Sequence, residues 1–159
     1  MTYREPLIEQ FMTLQPQTIE AKDNLENARK LMTRFGIRHL PVVDNGIVIG
    51  ILSEREVNLA NGIESMDLKQ ILVIDVCSER PYIVHPETPL RDAVGVMAQK
   101  HFGSAIVMEN AKLVGIFTTV DACRALHDLL QEATEGRNRE QLRSLHLFFR
   151  DRQPRRASK

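Results

Sequence analysis

Arg38-His39-Leu40-Pro41-Val42-Val43-Asp44-Asn45-Gly46-Ile47-Val48-Ile49-Gly50-Ile51-Leu52-Ser53-Glu54-Arg55-Glu56 is the stretch whose reading decides the fold. An apolar run ends in Asp44-Asn45-Gly46, where positive φ is reached cheaply, and a second apolar run continues to Leu52 before polar residues open a helical pattern. The spacing predicts strand, hairpin turn, strand and helix. Sixty-five residues later Gly103 to Asp121 repeats the layout without a gap, setting Asn110 on Asn45, Gly115 on Gly50, Thr118 on Ser53 and Asp121 on Glu56.

The flanks repeat as well. Before the hairpin, Asp23 or Asn24 can cap a helix in which Leu25, Ala28, Leu31, Met32 and Phe35 share one face, and Gly36 stands where a left-handed residue closes it. At the same offset Pro81 matches Pro16, Leu90 matches Leu25, Ala93 matches Ala28 and Met97 matches Met32. A gapless internal repeat implies two copies of one β-α-β-β-α unit. Each copy has too little sheet to bury both faces alone, so the expected fold class is α/β (α+β), with the units packed face to face about a pseudo-two-fold axis. The boundaries read as 5–62 for the first unit, 63–75 for a connector, 76–130 for the second and 131–159 for a C-terminal extension. In the connector Leu68, Ile71, Leu72 and Ile74 suggest a short helix.

With 159 residues, 43% of them hydrophobic, the chain can bury a core of ordinary size. No apolar run approaches the roughly 20 residues of a membrane span, and Arg4, Glu5 and Glu9 interrupt any signal-like start, so a cytoplasmic location is expected. Cys77 and Cys123 are isolated in sequence and read as two buried thiols rather than a disulfide or a metal site. The net charge is zero but uneven: residues 137–159 carry eight cationic side chains against two carboxylates, a net of +6, leaving −6 on the rest. Residues 137–152 suit a basic amphipathic helix, with Leu142, Leu145, Phe148 and Phe149 opposite its arginines, and 153–159 a disordered tail.

No catalytic constellation stands out. The five histidines are scattered, no nucleophile-elbow or phosphate-loop pattern occurs, and Gly50 and Gly115 read as single hairpin glycines. The sequence therefore argues against an enzyme. What remains is the strand-to-helix junction of each copy, where Ser53 with Glu56, or Thr118 with Asp121, forms a capping box that is complete without any ligand. The same helix start attracts anions, and a carboxylate one turn in can accept hydrogen bonds from a ribose diol. Arg38 could reach a phosphate there, or could equally be a solvated strand-end arginine. His39 on its own reads as a half-buried structural histidine.

Met12-Thr13 ahead of Pro16-Gln17-Thr18-Ile19, the helix Leu25 to Phe35, His39-Leu40-Pro41-Val42-Val43-Asp44 and Gly50-Ile51-Leu52-Ser53 resemble a cystathionine-β-synthase (CBS) domain. Pro86-Glu87-Thr88-Pro89-Leu90, Gly115-Ile116-Phe117-Thr118 and Asp121 echo it, and the pair is similar to a Bateman module over roughly residues 5–130. The resemblance implies a regulatory module that binds AMP, ADP, ATP or S-adenosylmethionine in composite clefts, acts on an effector protein and forms a homodimer. It implies a site A of Thr118 and Asp121 with Met12, Gln17, Thr18, Ile37, Arg38, His39 and Pro41. It also implies a site B of Ser53 and Glu56 with Tyr82, Ile83, Phe102, Gly103 and Ser104. Site B is the weaker, because Glu56 replaces the usual Asp and no cation faces the phosphate. A competing reading makes the pair a scaffold whose arginine-rich C-terminal helix docks a partner protein or nucleic acid; its apolar stripe favours a protein over nucleic acid.

Overall fold

A computed structural model describes the backbone of residues 5–63 and 66–150, with side chains to residue 135 in the last helix. Two compact units divide it, Met1–Ala122 and Cys123–Lys159. The first holds both repeats. In it β1 (Thr13–Leu14), β2 (Ile19–Glu20), α1 (Leu25–Phe35), β3 (His39–Asp44), β4 (Ile47–Ser53) and α2 (Glu54–Asn61) are followed by β5 (Ile83–Val84), α3 (Leu90–Lys100), β6 (Ser104–Glu109) and β7 (Lys112–Thr118). A continuous helix, α4 (Thr119–Arg150), starts in the first unit and supplies the second. The helix expected over 137–152 is thus the end of α4 as far as Arg150. The face that its residues 137–150 present, and the expected tail 153–159, lie outside the described side chains and residues.

The local predictions hold because they rest on local chemistry. Asn24 caps α1, its Oδ1 accepting from the Asn27 amide at 2.9 Å, and Gly36 closes the helix at φ 63°. Asn45 and Gly46 turn the first hairpin at φ 51° and 83°, and Asn110 and Ala111 turn the second at 49° and 60°. Both hairpins carry an irregularity at matching places, between Val42 and Val43 and between Val107 and Met108. The fully buried Leu40, Val42 and Leu52 of the first copy answer to Ala105, Val107 and Phe117 of the second.

The sheets are less local than the repeat suggests. One runs β2-β3-β4 and the other β1-β7-β6-β5, so the first strand of the chain belongs to the second copy's sheet. Thr13 lies opposite Ile116 and Leu14 opposite Gly115. The second copy reciprocates: Ser78 bridges Ile51, with Ile51 N–H donating to Ser78 O at 3.0 Å and Ser78 N–H to Ile51 O at 2.9 Å. The preceding turns cross too. Ile8 N–H donates to Thr88 O and Glu9 N–H to Pro86 O, both at 3.0 Å, while Val73 N–H donates to Asp23 O at 2.8 Å and Ile74 N–H to Ala21 O at 3.0 Å. The helix expected in the connector is therefore a 3₁₀ turn, Val73–Asp75, because its amides are drawn across to the first copy instead of along a helix axis.

The exchange also gives Gly50 and Gly115, which lie within the hairpin strands as expected, a reason to be glycine. A Cβ on Gly50 would stand 2.7 Å from Ser78 O, and one on Gly115 2.7 Å from Met12 Sδ. The two thiols are also less enclosed than expected, Cys77 half-buried where it crosses Gly50 and Cys123 exposed. Because Ser78 O is backbone whereas Met12 can swing its thioether aside, Gly50→Ala is expected to cost about 1–3 kcal/mol and Gly115→Ala less. Chemical denaturation of both variants checks the order.

Candidate functional site

Both strand-to-helix junctions form their capping boxes. Thr118 N–H and Oγ1–H donate to Asp121 Oδ2 at 2.9 and 2.7 Å, and Asp121 N–H returns a 3.4 Å contact to Thr118 Oγ1. Ser53 N–H donates to Glu56 Oε2 at 2.9 Å, and the Ser53 hydroxyl donates to the same oxygen. Asp121 is only 4% exposed, whereas the longer Glu56 is half-buried. A carboxylate this deep is held by donors and by the positive end of the helix it starts.

The next amide of each helix is also engaged, Glu54 N–H donating to Arg38 O at 2.9 Å and Thr119 N–H to Gly103 O at 3.1 Å. Around the first of these junctions a hollow of about 190 Å³ is lined by Arg38, His39, Ser53, Glu54, Arg55 and Thr119. It draws on both copies. The sequence reading had Arg38, His39 and Ser53; it missed Glu54, Arg55 and Thr119, which follow the two capping hydroxyls as the first residues of α2 and α4. Their signal was position, one or two residues past each cap, rather than residue type.

The remaining candidates divide by place. Met12 abuts Gly115, Gln17 is exposed, Thr18 and Ile37 are half-buried and Pro41 is fully buried in β3. In the second copy Tyr82 stacks on Phe102, Ile83 is exposed, and Ser104 is buried opposite Thr118. Thr118 and Asp121 do not line the hollow, which meets the second copy through Thr119.

Where the copies meet, a Cβ on Gly103 would lie 2.8 Å from His39 Nε2. The Arg-His of one copy and the Gly-Ser of the other therefore fit each other, the imidazole filling space that a second side chain would need. His39 is half-buried, as its sequence suggested, and Arg38 beside it is exposed. Burial, then the Arg38 charge, pushes the His39 pKa below its ordinary value, with Glu56 and Glu54 pulling weakly the other way. The unfolded chain consequently binds this proton more readily, and stability falls as pH drops through about 6.5. His39→Gln is expected to flatten the decline of the melting temperature between about pH 7 and 5, which thermal melts across that range measure.

Among the described residues no group of three or more histidine, cysteine or carboxylate side chains could hold a metal, and no helix is long and apolar enough to cross a membrane.

Two copies of a β-α-β-β-α unit that exchange their leading segments and meet at paired helix starts define a tandem-repeat module of one architecture. The chain belongs to the CBS domain family, whose profile matches residues 8–60 and 73–128. An inosine-5'-monophosphate dehydrogenase of Korarchaeum cryptofilum is 32% identical over 82% of this chain, but the match takes in only 27% of that enzyme. The CBS domain-containing protein YhcV of Bacillus subtilis is 28% identical over 72% of this chain and 81% of its own length. Among solved structures, AcuB of Vibrio cholerae superposes with a TM-score of 0.73 at 28% identity, over 83% of this chain and 98% of its own. CBSX2 in complex with AMP aligns with a TM-score of 0.65 at 23% identity, over 77% and 97%. The CBS domain pair of protein MJ0100, in complex with 5'-methylthioadenosine and S-adenosyl-L-methionine, aligns with 0.72 at 20%, over 79% and 98%.

Proposed function

We propose that this chain is a regulatory module that binds an adenosine-containing ligand between its two copies and passes occupancy to an effector protein or through rearrangement of a homodimer. The observation that carries the proposal is the buried Asp121 carboxylate capped by Thr118 at the start of α4, in a fold that holds AMP in CBSX2 and adenosyl compounds in MJ0100. Asp121 takes the ribose hydroxyls, sharing the oxygen that Thr118 now occupies. Thr118 and the amides past Thr119 take the first phosphate, Arg38 balances its charge beside a neutral His39, and Ile37 with Met12 flanks the base. Gln17 and Thr18 complete the wall, with the buried Pro41 holding β3 beneath them. Site B, formed by Ser53 and Glu56 with Tyr82, Ile83, Phe102, Gly103 and Ser104, is the poorer cleft because its acid is longer and less buried.

The ligand class is AMP, ADP or ATP, or S-adenosylmethionine, and the module does no chemistry on it. The dehydrogenase match supports that view, since it takes in 27% of the enzyme and repeats the segment recognised by the CBS profile. The unbroken run of α4 from the Asp121 junction to Arg150 offers an output path, because a ligand that favours one setting of the junction biases whatever the helix end touches. This also absorbs the docking reading of the basic extension, as the output arm of a sensor.

Calorimetric titration with AMP, ADP, ATP and S-adenosylmethionine tests the proposal. At least one is expected to bind, and Asp121→Asn to weaken it roughly ten- to hundredfold, the scale of a charged hydrogen bond. Absence of binding by all four, or undiminished binding in the variant, overturns it. Residue 121 also caps α4, so a melt of the variant accompanies the titration.

A further inference from the structure

Tyr82 and Phe102 stand in the second copy where Gln17 and Ile37 stand in the first. Their rings stack on each other, centroids 5.6 Å apart and planes 20° from parallel. The pair is not core: Tyr82 is half-buried, Phe102 is 36% exposed and the neighbouring Ile83 is 52% exposed. Two tethers connect its neighbours to the hairpin that ends in Ser53. Ser78, four residues before Tyr82, bridges Ile51 of β4, and Gly103, next to Phe102, approaches His39, which pairs with Ser53. Burial, with a smaller push from Asp92, raises the Tyr82 phenol above its ordinary value, as expected for a ring covered on one side.

A flat base held between two rings needs about 7 Å, twice the roughly 3.5 Å contact distance. At 5.6 Å the rings leave no such slot and satisfy each other's faces instead. The first copy has no equivalent, because Gln17 and Ile37 offer no pair of rings to close. We propose that the Tyr82–Phe102 stack is a stopper in the cleft beside Ser53 and Glu56, making the chain a one-site binder. The inference rests on the adenosine-ligand reading above and adds the reason for the inequality of its clefts: an aromatic pair that must part before a base can enter.

Calorimetric stoichiometry with AMP and with S-adenosylmethionine tests it in the full chain. Wild type is expected to take one ligand per chain. Tyr82→Gln with Phe102→Ile, which installs the first copy's residues, is expected to take two, and adding Glu56→Ala is expected to remove the new event. Phe102→Ile alone serves the same purpose if the double variant melts early. Two ligands on wild type, with the base stacking on the outer face of Phe102, overturns the stopper. So does a single ligand on both the wild type and the opened variants, and in either case the ligand reading stands. No binding by any of the proteins overturns both.

Discussion

The reciprocal exchange of leading segments is the constraint on which the rest depends. Each copy sends about ten residues to the other, where a 3₁₀ turn lies near the far helix start and the residues after it pair with the far hairpin, as β1 in one direction and as the Ser78 bridge in the other. The hydrogen bonds match at the repeat offset: Ile8 to Thr88 answers Val73 to Asp23, and Leu90 to Pro6 answers Leu25 to Ile71. Neither sheet reaches its full width from its own sequence. The two glycines under the crossings are the local expression of this, since they let a second backbone lie against a strand at a distance that no Cβ tolerates.

Exact symmetry would fail at the axis. If both copies carried Arg-His at the start of the second hairpin strand, two imidazoles would compete for the space that His39 fills against Gly103. One copy therefore keeps the large, cationic pair and the other the small one. The packing requirement and the electrostatic asymmetry have the same origin. The hollow at the Ser53 junction is lined by Arg38 and Arg55 on the side of the first copy and by Thr119 of the second.

The hairpins, the caps and the repeat were legible in the sequence because each rests on short-range chemistry: Asn24 three residues from the amide that it receives, Asn45 and Asn110 in left-handed turns, Ser53 and Thr118 three residues from their acids. Gaps and misreadings came where the determining partner is distant. Gly50 was placed in its strand, but nothing local gave the reason for a glycine there, because that reason, Ser78, lies 28 positions away. The apolar connector looked helical because nothing local says that Val73 and Ile74 donate to carbonyls near Asp23. The capping boxes were legible because their acids and hydroxyls form a motif, but Glu54, Arg55 and Thr119, which line the hollow where the copies meet, were not.

The exchange also sets a timetable for folding. The first copy's sheet cannot gain its Ser78 bridge until Ser78 has left the ribosome, well after its own hairpin is complete. β1 waits longer still: Thr13 and Leu14 have no partner until Gly115 and Ile116 are made, a hundred residues downstream. Closing such a span is slow relative to hairpin formation. During synthesis β1 is thus an unclaimed strand until the second hairpin has been made.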